Sequence, residues 1–308
     1  MAEKLRIYSK ASLELWEIQE KIRCGCDGIE YNLTKDFAQK GNDFLTNYGR
    51  EVIEAKNVEV VHVPYDESGQ MMNLERVFQH KNLAIIEHTF EFAQYCADYW
   101  KHRIILVIHC SLSMYDFMEY EIFREKLVND LERLFTQYPQ VDLAIENVVL
   151  MEYKQDREES PRLCNGLHKD IPQIVNWLRN YFGDRVGTVL DTCHAMMTEK
   201  YMKALLREAS FYPEGNVPEK LDYSIESYFR ANQKICKLIH FNTFVENGYK
   251  KNHGTPFTRQ EEVDRILELY EAYGYDCPLT LEIREDDYAD CVNYRQTRQL
   301  IEHWMRGR

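Results

Sequence analysis

The residues of this chain that could do chemistry are six imidazoles and carboxylates, each set directly behind a run of apolar or β-branched residues. They are His62 in Val61-His62-Val63-Pro64, His109 in Ile108-His109-Cys110, Glu146 in Ile145-Glu146-Asn147, Asp191 in Leu190-Asp191-Thr192-Cys193-His194, His240 in Ile239-His240-Phe241-Asn242 and Glu282 in Leu281-Glu282-Ile283. Any one of them alone reads as a loop side chain satisfying local hydrogen bonds, as most polar groups do. Six at equivalent places are a different matter. Three carboxylates gathered together repel and raise one another's pKa unless a cation neutralises them, and a divalent metal does so while also accepting imidazole nitrogen. A mixed nitrogen and oxygen donor set without thiolate points to zinc, manganese or iron ahead of calcium or magnesium.

For residues so far apart in sequence to meet, the elements behind them must converge. Short apolar runs predict strands at Leu5 to Tyr8, Gly28 to Leu33, Val58 to Val63, Ile104 to Cys110, Leu143 to Val148, Val186 to Asp191, Ile235 to Asn242 and Leu279 to Ile283. Helical periodicity between them covers Ala11 to Ile22, Leu83 to Trp100, Phe117 to Gln137, Ile171 to Phe182, Tyr223 to Asn232, Arg259 to Tyr273 and Asn293 to Met305. Strict β and α alternation implies a parallel sheet, and eight units imply an α/β fold closed into a (β/α)8 TIM barrel. All carboxyl ends then open on one mouth, and each of the six residues sits at such an end. An open doubly wound sheet is the alternative, but no Gly-x-Gly-x-x-Gly turn comes after any strand. No repeat or Pro/Gly/Ser linker divides the chain, so residues 1–308 are expected to form a single TIM-barrel domain; the loop-rich insertions are Asp66 to Asn73, Met151 to Gly166 and Phe211 to Glu219.

Composition narrows the class. A length of 308 residues with 44% hydrophobic content supports one large core, since α/β barrels run to about 250 residues as one domain. No apolar run approaches the roughly 20 residues of a membrane helix, and the amino-terminal segment lacks an apolar signal region; a cytoplasmic protein is expected, with no membrane partner. Nine cysteines, an odd number scattered through strands and helices, suit reduced core thiols rather than a disulfide framework. A net charge of −13 opposes non-specific binding to polyanions, so any nucleic-acid role needs a locally basic cleft.

The ladder of site residues resembles the xylose-isomerase-like barrel superfamily. Within it, Val189-Leu190-Asp191-Thr192-Cys193-His194-Ala195 looks like the endonuclease IV type of apurinic/apyrimidinic endonuclease (AP endonuclease family 2), as do His62-Val63-Pro64-Tyr65, Ile145-Glu146-Asn147, His240-Phe241-Asn242 and Pro278-Leu279-Thr280-Leu281-Glu282. The likeness runs from the third strand to the end of the chain. It implies a cluster of up to three metals: His62, His109 and the bridging Glu146 match the ligands of one, and Asp191, His240 and Glu282 those of the second. His194 and His253 match part of the third. Lys251 stands where that family has a carboxylate, and an ammonium repels a cation, so two ions are expected, zinc first and manganese as the alternative. Asp66-Glu67, after Tyr65, replaces the family's apolar wedge into the duplex, and two carboxylates repel phosphate. Tyr31 to Lys35 also departs from the family's DNA-contacting loop.

These residues admit three functional readings. In the first, a di- or trinuclear centre hydrolyses a phosphoester, with Glu146 and Glu282 as catalytic carboxylates and Tyr65 and Lys251 as substrate contacts; the substrate is abasic DNA or a small phosphorylated molecule. His62 and His109 favour this reading, because a one-metal site has no need of them. In the second, one metal held by Glu146, Asp191, His240 and Glu282 serves a sugar or sugar-phosphate isomerase or epimerase. Lys251 and His253 then hold a phosphate or hydroxyl. In the third, the barrel is a non-catalytic scaffold, for which the 21 tyrosines speak as interface residues. Oligomeric state is not legible. Cys193 reads as a small buried hydrophobe, and His80, His88, His102, His168 and His303 fall away from the predicted mouth.

Overall fold

The structure is a computed structural model that describes residues 5–34, 37, 48–64, 72–78, 82–149, 151–152, 162–163, 167–207, 223–243 and 256–307. Eight parallel strands close on themselves: β1 (Ile7–Ala11), β2 (Gly28–Asn32), β3 (Val58–His62), β4 (Ile104–Cys110), β5 (Val141–Asn147), β8 (Val186–Asp191), β9 (Cys236–Phe241) and β10 (Leu279–Leu281), each paired with the next and β10 with β1. The short antiparallel pair β6 (Met151–Glu152) and β7 (Arg162–Leu163) lies outside the barrel sheet. Barrel strands are covered on both faces, which is why they read as nearly continuous apolar runs rather than alternating ones. All seven residues of β5 are buried, for example.

Successive side chains point to opposite faces of each strand. One set packs outward against the helices in the main core, which includes Ile86, Phe90 and Ala97 from the helix Leu83–Trp100 and Leu127, Leu131 and Phe135 from the helix Glu121–Gln137. Phe90 lies 6.1 Å from Phe135 and 5.9 Å from Tyr138, ring centre to ring centre. The other set fills the barrel axis with Tyr8, Val60, Val107, Ala144, Val189 and Leu238. Gly28 pairs with Tyr8 across β1 and β2, and a Cβ at Gly28 would come within 3.0 Å of the Tyr8 ring. The missing side chain makes room for that ring.

Five local readings are corrected. The first strand is Ile7–Ala11 rather than Leu5 to Tyr8, and the helix after it starts at Leu15 rather than Ala11. Polar Ser9 and Lys10 signal the end of a strand by pattern, yet Lys10 is an interior position of β1. The expected helix Phe117 to Gln137 is two helices, Met114–Glu119 and Glu121–Gln137, broken at Tyr120; Ser113 caps the first through the Asp116 amide. A helix absent from the sequence reading, Thr192–Arg207, continues directly from β8 without a loop. The insertion Met151 to Gly166 contributes β6 and β7.

The eight cysteines among the described residues are all free thiols. No helix among the described residues is long and apolar enough to cross a membrane.

Leu238 is fully buried one layer below the barrel mouth. Its replacement in Leu238→Ala leaves a cavity and is expected to cost about 2–5 kcal/mol in urea unfolding. Ile122→Ala, at a position 85% exposed, is expected to stay within about 0.5 kcal/mol of wild type.

Candidate metal centre

One step beyond the interior layer, the same alternation places a polar residue on every barrel strand or, for β10, directly after it. Lys10 comes two residues after Tyr8, Glu30 after Gly28, His62 after Val60, and His109 after Val107. Glu146 stands likewise after Ala144, Asp191 after Val189, His240 after Leu238 and Glu282 after Thr280. Neighbouring strands bring these into register: Lys10 opposite Glu30, His109 opposite Glu146, and Asp191 opposite His240. The six residues picked out by sequence are thus part of a ring of eight. Lys10 and Glu30 escaped the sequence reading, although two-residue spacing from Tyr8 and Gly28 was a signal that could have found them.

Glu146 occupies the centre. Its Oε2 lies 3.4 Å from His62 Nε2, 3.2 Å from His109 Nε2 and 3.3 Å from His240 Nδ1. His240 Nδ1 is also 3.2 Å from Glu282 Oε2. Two sets of potential ligand atoms result, each within 4.8 Å of one another: His62, His109 and Glu146, and Glu146, Asp191, His240 and Glu282. Glu146 belongs to both.

The surrounding hydrogen bonds leave the inward-facing atoms as lone-pair donors. His62 Nδ1 lies 3.0 Å from the Val63 carbonyl, and His240 Nε2 lies 3.0 Å from Glu30 Oε2. A carbonyl or carboxylate at that distance takes the ring N–H, which puts the unprotonated nitrogen on the other side of the ring. That nitrogen is His62 Nε2 in one case and His240 Nδ1 in the other. Both, together with Glu146 Oε2, are buried without a hydrogen-bond partner. Buried polar atoms normally have one. Three unpartnered acceptors converging on one point fit a divalent cation, which supplies the missing partner to all of them at once.

The charges agree. Burial pushes the Glu146 carboxyl up, but His109 and His240 beside it hold it well below the usual range. Burial lowers the His240 imidazole, yet Glu30 and Glu146 raise it well above its ordinary value. His62 is lowered by burial and by the Lys10 charge. Lys10, 2.7 Å from Glu282 Oε1 and 3.6 Å from Glu30 Oε1, is raised by those carboxylates against the effect of burial. The carboxylates therefore set the field, and it attracts cations.

Backbone clamps hold the ring in place. Asn147 Nδ2 donates to the Asp191 carbonyl at 3.1 Å and its Oδ1 accepts from the Asp191 amide at 2.8 Å, which ties β5 to β8. Asn242 Oδ1 accepts from the Cys193 amide at 2.7 Å, and Thr192 Oγ1 donates to the Asn242 carbonyl at 2.7 Å. Asp191 Oδ1 accepts the His194 amide at 2.7 Å, an acidic cap on the helix Thr192–Arg207. The asparagines and threonine next to the ligands are thus the fixings of the ligands.

His194 reaches this neighbourhood through Nδ1, 3.6 Å from Glu146 and 3.7 Å from Asp191, while the same nitrogen lies 2.8 Å from the Asn147 carbonyl. It belongs to neither of the two ligand sets. Tyr65, Lys251 and His253 lie outside the described residues, as do Asp66 and Glu67. His102 bonds the Val58 carbonyl at the opposite end of β3, and Cys193 packs with Val149 and Met197, both as expected of structural residues.

A family model described as xylose isomerase-like TIM barrel matches residues 19–307. The chain belongs to this family. Among solved structures it is similar to a UV damage endonuclease, SacUVDE, at 13% identity over 97% of this chain and 99% of that one, with a TM-score of 0.53. It is also similar to an L-ribulose 3-epimerase, at 12% identity over 99% of this chain and 94% of the other, with a TM-score of 0.50. At such identities the likeness shows the fold alone. No curated protein matches the chain in sequence.

Because a cation bound by the folded site and not by the unfolded chain stabilises the fold, zinc or manganese at about 100 times its dissociation constant is expected to add about 2.7 kcal/mol to the free energy of unfolding. Excess chelator should remove the gain. A urea midpoint that ignores both additions would count against a metal at this ring.

Proposed function

We propose that the protein is a divalent-metal-dependent phosphoester hydrolase whose two ions share Glu146. The observation that carries this reading is the double membership of Glu146, with His62 and His109 on one side of its carboxylate and Asp191, His240 and Glu282 on the other. His62 and His109 are surplus to a one-ion site. Two divalent ions held by these residues would supply a hydroxide at neutral pH and positive charge for the oxygens of a phosphoryl displacement.

The chain's own residues divide the remaining work. Glu146, 1% exposed, fixes the centre of the site. The Glu282 side chain is the most open of the ring's carboxylates at 22%, so it is the proposed catalytic carboxylate on the substrate side. Tyr65 and Lys251 are the proposed substrate contacts. Ring electrostatics favour an anion: Glu30, Glu146, Asp191 and Glu282 against Lys10 leave three net negative charges, which two divalent ions convert to one net positive. Abasic DNA and small phosphorylated molecules are the substrate classes that suit it, and the acidic chain as a whole suits the small molecule better.

A sugar isomerase or epimerase is the second reading, favoured by the completeness of Glu146, Asp191, His240 and Glu282 as a four-ligand set without His62 or His109. One ion leaves the ring net negative, which suits an uncharged polyol. Glu146 and Glu282 then flank the ion as acid–base carboxylates.

Metal content separates the two. Elemental analysis of the zinc- or manganese-loaded chain is expected to give two ions, and His62→Ala combined with His109→Ala one ion fewer. The same variant is expected to lose hydrolysis of an abasic-site duplex or nucleotide phosphoester. One ion in wild type, unchanged in the variant, with turnover of ketoses instead, selects the isomerase reading.

A further inference from the structure

Two ring members belong to neither ligand set, yet both touch residues that do. Glu30 Oε2 lies 3.0 Å from His240 Nε2, and neither side chain is exposed at all. Lys10 Nζ lies 2.7 Å from Glu282 Oε1 and 3.6 Å from Glu30 Oε1. Barrel order explains the meeting: β1 sits between β10 and β2, so an ammonium on β1 faces a carboxylate on each side.

The two contacts act on the ligands differently. Glu30 takes the Nε2 proton of His240 and so turns the lone pair of Nδ1 toward Glu146 and Glu282, at 3.3 and 3.2 Å. Its negative charge also makes the imidazole a better donor. Lys10 does the reverse to Glu282. With Oε1 on the ammonium, Glu282 has only Oε2 to offer, and a carboxylate that could have chelated an ion becomes a one-oxygen ligand. The ammonium also places a positive charge close to the ion, where repulsion is screened far less than in water.

We propose that Lys10 and Glu30 are positioning residues that tune the ion held by Glu146, Asp191, His240 and Glu282 in opposite directions, Glu30 tightening it and Lys10 loosening it. An ion with one oxygen withheld keeps a coordination position for a substrate oxygen and remains a stronger Lewis acid. The proposal rests on reading these four residues as a metal set, and it holds whichever reaction the ion serves. A salt bridge with only a structural role predicts something else: removing either partner would loosen the site, and both substitutions would weaken metal binding.

The test is a cobalt(II) titration of the metal-stripped full chain, read by binding affinity and by visible absorption, which reports the number and geometry of cobalt ligands. Glu30→Gln is expected to weaken one ion by about 10–100-fold. Lys10→Met, which keeps the length of the side chain and removes its charge, is expected to tighten the same ion by about tenfold or more and to weaken the visible band as Glu282 adds its second oxygen. Lys10→Arg keeps the charge and should restore wild-type affinity and spectrum. Weaker or unchanged cobalt affinity in Lys10→Met, with an unaltered spectrum, overturns the proposal while leaving the metal reading intact. Wild-type protein that binds no cobalt overturns both. Should circular dichroism show Lys10→Met unfolded, Lys10→Gln carries the same expectation.

Discussion

The burial of the Glu146 carboxylate is the constraint on which the mouth of the barrel depends. An ionised carboxyl taken out of water without a partner costs many kilocalories per mole, and proteins avoid this by pairing it, protonating it or giving it a metal. Here it is surrounded by imidazoles from β3, β4 and β9, each at ion-pair distance from the same oxygen. Protons on those rings or a shared cation both satisfy the carboxylate. The hydrogen bonds on the far sides of His62 and His240 leave Nε2 of the one and Nδ1 of the other facing Glu146, where a proton or a cation completes the pairing.

Holding that arrangement requires precision that loops alone do not give. The ligands stand at the carboxyl ends of strands whose interior layer is packed solid, so their Cβ positions are set by the barrel. The residues just past the strand ends are then tied down by side chains from a neighbouring strand end: Asn147 on the Asp191 backbone, Asn242 on Cys193, Thr192 on Asn242. The Glu-Asn, Asp-Thr-Cys-His and His-Phe-Asn motifs accordingly make one object. Their first residues are candidate ligands and their later residues keep those ligands from moving.

The fold leaves the reaction open, since an endonuclease and an epimerase are both among the solved structures similar to this chain. The discriminating feature is local. Asp191, His240, Glu282 and Glu146 are enough for one ion, and the positions on β3 and β4 decide whether a second set exists. In this chain both carry histidine, and the two rings lie 4.8 Å apart, each beside Glu146 Oε2. The ring's charge then reinforces the distinction, because each added ion moves the mouth from repelling an anion toward attracting one.

Much of this was legible in the sequence. Apolar runs alternating with helical periodicity implied eight strands and closure, and a polar residue at the end of six of those runs marked the candidate ligands, because position at a strand's carboxyl end is a one-dimensional property. Where local signals competed, reading by pattern failed: Ser9 and Lys10 look like the end of a strand until it is seen to continue to Ala11, and Thr192 to Arg207 carries a helix to which the pattern assigned no element. Glu30 was hidden in the middle of a strand that was placed correctly. The remaining facts belong to tertiary structure alone. Which nitrogen of His240 faces inward depends on Glu30, 210 residues away, and which oxygen of Glu282 is available depends on Lys10, 272 residues away. Sequence determined which side chains reach the mouth of the barrel. Only closure of the sheet, which sets β1 beside β10 and Glu30 across from His240, decided how their protons and lone pairs are shared, because hydrogen bonds and charges act over a few ångströms of space and not along the chain.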